Sequence, residues 1–210
     1  LRVLYLQDSI ADKVISMLKG ALAERQIGDP LDLATDIGPV INVESRNGLE
    51  KHIDRMHKEA KLIARGTVPD ILEDGSYLAP HIFEIPALSA LKDEEFGPIL
   101  HVIRYKHDEI EKVMADIAGT GFGLTFGVHS RIESYWLDLF AKNAVGNTYV
   151  NRNMIGAVVG VQPFGGMGLS GTGPKAGGPH YMLRFANEKV LTINTAAIGG
   201  NTELFRLNEC

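Results

Sequence analysis

Apolar positions along the chain recur at two spacings, every second residue and every third or fourth, and the two patterns alternate. Arg2-Val3-Leu4-Tyr5-Leu6 is strand-like and leads into Ile10, Val14, Leu18 and Leu22, which share a helical face. Asp8 or Ser9 can cap that helix, and Gly28-Asp29-Pro30 stops it. Asp36-Ile37-Gly38-Pro39-Val40-Ile41 predicts a turn, because Pro39 cannot continue a helix and biases Gly38 away from helical angles. A second helix is predicted over residues 45–65, with Leu49, Ile53, Met56, Ala60 and Ile63 on one side and Gly66 closing it. Residues 76–85 read as a strand interrupted by Pro80, and Ile99 to Tyr105, ILHVIRY, is an apolar run of the kind buried parallel strands show. Asp108 can cap a helix carrying Ile110, Val113 and Ile117, and residues 124–128 form another strand after Gly121 and Gly123. Tyr135, Trp136, Leu139 and Phe140 then mark a helical face whose plain reading is core packing. Asn147 to Val150 is a short strand, Tyr181 to Phe185 one helical turn, and Lys189 to Asn194 alternates as an exposed edge strand able to pair with another subunit.

Strands alternating with helices define an α/β class with a mainly parallel sheet and flanking helices, followed by a C-terminal oligomerisation strand. The expected organisation is a first domain over 1–145, a glycine-rich region over 146–187, and the strand with its tail over 188–210.

The segment from Asn151 to Pro179, NRNMIGAVVGVQPFGGMGLSGTGPKAGGP, organises the rest. Each glycine costs a helix or strand interior about 0.5–1 kcal/mol relative to alanine, so the segment predicts a long loop. Ile155, Val158, Val159, Phe164 and Leu169 argue for an ordered loop, the wall of a ligand site. Gly166, Gly168 and Gly171 match G-x-G-x-x-G, yet Pro163-Phe164 before and Thr172-Gly173-Pro174 after do not supply the strand and helix that a dinucleotide-binding turn needs.

Composition narrows the function. The 210 residues are 45% hydrophobic and 22% charged, enough for one or two cores. A formal charge of -5 without a lysine or arginine cluster argues against nucleic acid or a membrane surface as partner and leaves a small soluble ligand. No apolar run approaches the roughly 18 residues that span a bilayer, and the start carries no signal-peptide pattern, so a cytoplasmic setting is expected. Cys210 is the single cysteine, which leaves no intrachain disulfide or multi-cysteine metal site. It follows the polar run from Asn201 to Glu209, a poor setting for a nucleophile. Leu1 opens directly on a strand, the expected look of a piece of a longer chain.

Several motifs now add up. Glu94-Glu95-Phe96-Gly97-Pro98-Ile99-Leu100 resembles the E-x-F-G-P-[VI] signature of the aldehyde dehydrogenase superfamily. The segments DIGPVI (36–41), GLTFG (123–127), GNTYVNR (146–152) and PFGG (163–166) follow in that family's order. Ile155 to Phe164, IGAVVGVQPF, and Ser170 to Pro179, SGTGPKAGGP, are similar to the glutamate semialdehyde (1-pyrroline-5-carboxylate) dehydrogenases, above all those of bacterial bifunctional proline-catabolic enzymes. Those enzymes also hold a flavin-dependent proline dehydrogenase, so FAD would belong only to that separate domain; nothing in this sequence matches it.

The resemblance implies a mechanism in which a cysteine thiolate attacks the aldehyde, NAD accepts hydride, and a glutamate activates water. It implies that Gly156 and Ala157 grip the substrate carboxylate through backbone N–H groups, where small residues leave room for an anion. Phe164 would line the aliphatic part of the substrate, or otherwise pack within the loop. Glu94 would accept hydrogen bonds from the nicotinamide ribose, and Phe96 would pack near the nicotinamide. Glu95 and Asp93 are read as solvated charges. The nucleophilic cysteine, general-base glutamate and oxyanion asparagine are expected upstream of Leu1, in the rest of the parent chain, so the polypeptide alone is expected to be inactive. Two alternatives stand beside this: a dehydrogenase of another semialdehyde, and a non-catalytic association module that forms homo-oligomers through residues 190–193.

Overall fold

A computed structural model describes residues 1–72, 75–156, 158–171, 173–194 and 197. Strand β1 (Val3–Gln7) runs into helix α1 (Asp8–Ala23), and α2 (Val43–Glu59) is followed by β2 (Lys61–Arg65), β3 (His81–Glu84) and β4 (Ile99–Tyr105). Then come α3 (Ile110–Gly119), β5 (Phe122–Gly123), β6 (Thr125–Val128), α4 (Glu133–Lys142), β7 (Asn147–Val150) and β8 (Met167–Gly168).

Four strands form one sheet in the order β1-β4-β3-β2. Both neighbours of β4 are parallel to it, and only the outer pair β2–β3 is antiparallel, so the sheet is mainly parallel as the apolar run ILHVIRY predicts. Side chains alternate across the pleat and so sort into two cores. Ile99 and Ile103 join Phe83 and Ile85 against Leu49, Ile53 and Met56 of α2. On the opposite face Val102, Ile82, Leu6 and Ile63 pack on Ala11 and Ile15 of α1. A third cluster joins Met114 of α3, Val128 of β6 and Leu139 of α4 beside the parallel pair β6–β7.

Several boundaries depart from expectation. The predicted helix over 45–65 ends at Glu59; Ala60 turns to extended angles (φ -135°, ψ 167°) and Lys61 begins β2, so Ile63 is buried from a strand. That helix starts at Val43 because Asn42 caps it, its Oδ1 accepting the Ser45 N–H at 2.8 Å. Neither Asp8 nor Ser9 caps α1, which begins at Asp8 itself, and Ser9 Oγ accepts from the Gln7 side chain. Asp108 sits in a 3-10 turn, His107–Glu109, closed by the Lys106 N–H donating to Glu109 Oε2 at 2.8 Å. Of the expected strand over 76–85 only β3 forms, beginning after Pro80. Ile10 and Phe140 face solvent rather than core.

The described residues fall into two compact units: one holds 1–72, 75–156 and 165–171, the other 158–164, 173–194 and 197. This division runs through the glycine-rich segment. In the second unit the long loop pairs with itself: Val158 and Gln162 form a bridge, Phe164 and Ala176 exchange two backbone hydrogen bonds at 3.0 and 2.9 Å, and the Gly160 N–H donates to the Gly177 carbonyl. A 3-10 turn covers Tyr181–Phe185. Residues 189–194 belong to no strand, with Val190 85% and Leu191 81% exposed. No helix among the described residues is long and apolar enough to cross a membrane.

Three histidines, His52, His81 and His101, are buried, and burial lowers the pKa of each, in the first place by desolvation. A depressed folded-state pKa contributes stability that is present above the unfolded value near 6.5 and is lost as pH falls through the folded values. Glu95, raised by burial, acts in the opposite sense, one group against three. The urea midpoint is therefore expected to fall between about pH 7 and about pH 5, and to fall less steeply in His81→Phe.

Candidate functional site

The segment joining the 3-10 turn Leu88–Ala90 to β4 carries Glu94, Glu95 and Phe96. It is compact because the Gly97 N–H donates to the Glu95 carbonyl at 3.0 Å and the Ile99 N–H to the Gly97 carbonyl at 2.8 Å. A Cβ on Gly97 would overlap the Leu49 side chain of α2, so only glycine lets the turn lie on the core. Arg2, just before β1, clasps this segment at three points. Its Nε donates to Glu94 Oε1 at 3.3 Å, a second guanidinium nitrogen donates to the Gly97 carbonyl at 3.2 Å, and its Cζ lies 4.2 Å from the centre of the Phe96 ring. Glu94 and Phe96 thus stand side by side at the sheet edge, an exposed carboxylate beside a ring that is 79% exposed. Such a pair suits a ligand with a diol and a flat heterocycle.

Glu95 is not a solvated charge. Its Oε1 lies 2.9 Å from Nδ1 of buried His52, and its side chain is 25% exposed. His52 Nε2 in turn meets His101 Nε2 at 2.9 Å, and His101 Nδ1 meets the Arg2 carbonyl at 3.2 Å. Arg55 of α2 donates to the Ala90 carbonyl at 3.0 Å and approaches His52 Nδ1 at 3.3 Å. Burial raises the Glu95 carboxyl and lowers His52, so both shifts oppose a carboxylate–imidazolium pair at this contact, despite its ion-pair distance. The signal in sequence was the histidine inside ILHVIRY, at a position otherwise read as core.

At the far end of β7, Tyr149 is buried and its hydroxyl donates to the Gly156 carbonyl at 3.1 Å. Arg152 lies over the Tyr149 ring at 5.2 Å. Asn151, at φ 54°, turns the chain out of β7 and ties Ser130 through both its amide groups, at 2.9 and 2.8 Å. Sequence reading named neither Tyr149 nor Asn151 as a support, although both lie in GNTYVNR. Gly156 itself is exposed at φ 108°, open to glycine alone, and nothing lies within 4 Å of where a Cβ would stand. Ala157 and Cys210 lie outside the described residues. Phe164, half-buried in the second unit, is held by its bridge to Ala176. Ile155, Val158, Val159 and Leu169, whose apolar character argues for an ordered loop, are exposed, and the loop is tied by backbone pairing.

Gly168 of the G-x-G-x-x-G match lies in β8, paired with Phe122 of β5, and no helix opens at Gly171. No described cluster of three or more histidine, cysteine or carboxylate groups is placed to hold a metal ion.

Residues 1–191 match the aldehyde dehydrogenase family. The chain belongs to that family. It is 47% identical over 195 residues to the Bifunctional protein PutA of Klebsiella aerogenes, covering 90% of this chain and 15% of that protein. A crystal structure of a Proline Utilization A variant from Bradyrhizobium japonicum superposes with TM-score 0.89 at 56% identity, covering 95% of this chain and 20% of that one. The 1-pyrroline-5-carboxylate dehydrogenase from Thermus, solved with bound NAD, gives TM-score 0.81 at 32% identity over 89% of this chain and 36% of that one. The chain therefore spans a fifth or less of the PutA proteins and about a third of the Thermus dehydrogenase.

One glycine of the family-like motifs is fixed by backbone approach. A Cβ on Gly146 would run into the Gly165 carbonyl and Gly166 Cα, where the Gly165 N–H also donates to Asn147 Oδ1 at 3.2 Å. Gly146→Ala is expected to destabilise the protein by about 1–3 kcal/mol, because a backbone cannot step aside as a side chain can. Urea denaturation measures this, with Gly48→Ala, open on its helix, as the tolerated control.

Proposed function

We propose that the protein is an NAD-dependent L-glutamate γ-semialdehyde dehydrogenase that makes glutamate in proline catabolism, in the cytoplasm. In this reading the chain contributes the substrate anchor and one side of the cofactor site. Gly156 and Ala157 present backbone N–H groups to the α-carboxylate of the substrate, and Phe164 lines its aliphatic part. Glu94 accepts hydrogen bonds from the ribose hydroxyls, with Phe96 beside the nicotinamide; NAD, when bound, takes up the hydride. The thiolate, the general-base glutamate and the oxyanion amide come from other parts of the protein, since the one cysteine, Cys210, follows a polar run unsuited to a nucleophile. On this reading the 210 residues alone have no dehydrogenase activity.

Gly156 carries the substrate assignment. A carboxylate can approach two adjacent amides only where no side chain stands in front of them, and Gly156 is exposed, unobstructed at its Cβ position, and pinned from behind by Tyr149. The names of the similar proteins support the same substrate.

Gly156→Val in the full-length protein is expected to raise KM for glutamate semialdehyde about tenfold or more, the weight of charge-assisted hydrogen bonds to a carboxylate. Turnover of a plain aliphatic aldehyde should hardly change. Equal losses on both aldehydes, or a wild-type preference for succinate semialdehyde, would reject the anchor.

We also propose that residues 189–194 pair with a second copy of the chain. The support is an alternating sequence whose Val190 and Leu191 stand exposed with no strand formed. Leu191→Lys is expected to shift sedimentation of the full-length protein to a smaller species; an unchanged coefficient would exclude this pairing.

A further inference from the structure

The Glu95–His52–His101 chain, which runs from a half-buried carboxyl to two buried imidazoles, is not used by the function proposed above. Its hydrogens can be assigned by elimination. The Arg2 carbonyl only accepts, so His101 Nδ1 carries a hydrogen and, in a neutral ring, His101 Nε2 is a lone pair. His52 Nε2, 2.9 Å away, must then donate, which leaves His52 Nδ1 as the acceptor. The Arg55 guanidinium, always a donor, points at that same nitrogen at 3.3 Å and disfavours a second proton there. Two acceptors cannot face each other at 2.9 Å, so one proton lies between Glu95 and this nitrogen, and because Arg55 opposes a proton on His52 it is assigned to Glu95.

We propose that Glu95 is a positioning residue: as a neutral carboxylic acid donating to His52, it fixes the turn that presents Glu94 and Phe96 to the dinucleotide. The proposal rests on the reading that Glu94 and Phe96 hold NAD. Glu95 is the only one of the three consecutive residues aimed inward, and its anchor reaches the central strand through His101 and the first strand through Arg2, the residue that clasps Glu94 and Phe96. The same turn is therefore gripped from both sides. Loss of the shared proton places a charged Glu95 against the His52 lone pair and releases the inner grip. The groups that bear on this proton are Arg55 and Glu59 on α2, Asp93 on the turn, His101 on β4, and the Arg2 carbonyl. Desolvation keeps Glu95 raised against the pull of Arg55.

The test is NAD affinity of the full-length protein, read by calorimetry without aldehyde between about pH 5 and about pH 9. In wild type the dissociation constant is expected to rise several-fold as the pH increases. Glu95→Gln keeps a permanent N–H donor facing His52, so it should bind as wild type does at low pH and lose the pH dependence. Glu95→Val, with no donor, should bind about five- to tenfold more weakly at every pH, the loss of one buried hydrogen bond. A flat wild-type profile, or a glutamine variant as weak as the valine one, overturns the proposal. So does wild-type affinity in Glu95→Val while Glu94→Ala binds weakly, an outcome that leaves the cofactor reading standing. NAD binding unaffected by Glu94→Ala rejects the cofactor reading itself. Should Glu95→Val fail to fold, the glutamine profile decides alone.

Discussion

Hydrogen bonding of β4 on both of its edges is the constraint on which the rest depends. A strand paired to parallel neighbours on each side cannot slip without breaking two ladders, and a slip of one residue would exchange its two faces. The register Val3↔His101 and His81↔Ile99 therefore sets three things together. It assigns Ile99 and Ile103 to α2 and Val102 to α1, it brings the Arg2 carbonyl to His101 Nδ1, and it fixes where the Glu94–Phe96 turn emerges. The putting together of core and candidate cofactor side is thus one geometric decision.

Burying histidine at the centre of such a sheet costs free energy unless its ring nitrogens are satisfied. His101 satisfies both of its nitrogens, one on a backbone carbonyl and one on His52. The remaining nitrogen of His52 is faced by two groups, the Arg55 guanidinium at 3.3 Å and Glu95 at 2.9 Å. Packing and electrostatics therefore cannot be separated here: the apolar alternation decides that position 101 points at α2, and the hydrogen-bond inventory of imidazole decides what must stand beyond it. An apolar residue at 101 would need none of this.

Much of the fold was legible because long periodic runs leave little choice. ILHVIRY became β4 with its predicted limits, and NTYV and the turn YMLRF appeared where their patterns placed them. The helix over 45–65 was overrun because Ala60 and Ile63 extend the spacing of Leu49, Ile53 and Met56 with no glycine or proline to stop it. Only tertiary pairing of Lys61–Arg65 with β3 converts the last turn into a strand. Capping was misassigned at Asp8 and Asp108 for a related reason: many polar residues near a helix start can cap, and the backbone path selects among them. The family motifs singled out Glu94, Phe96, Gly156 and Phe164 as candidates. They could not reveal Glu95, whose partners lie 43 and 6 positions away in sequence (95 − 52 and 101 − 95) and meet only across the α2–β4 packing.

The two halves of the proposed site are built by different means. The Glu94 side is attached to a sheet whose strands are closed by long ladders, and Arg2 and Glu95 hold it by side chains that can be changed one at a time. The Gly156 side is backbone: Tyr149 fixes a carbonyl, a positive φ demands glycine, and the loop beyond pairs with itself through Val158, Gln162, Phe164 and Ala176. Recognition by main-chain amides, as proposed at Gly156, would use no side chain, so its selectivity would come from the absence of atoms. That is why glycine density, which would weaken any helix or strand, is compatible with a site in this chain, and why substitution to larger residues acts there by obstruction. Side-chain contacts such as Glu95–His52 respond to pH, whereas a backbone anchor does not titrate.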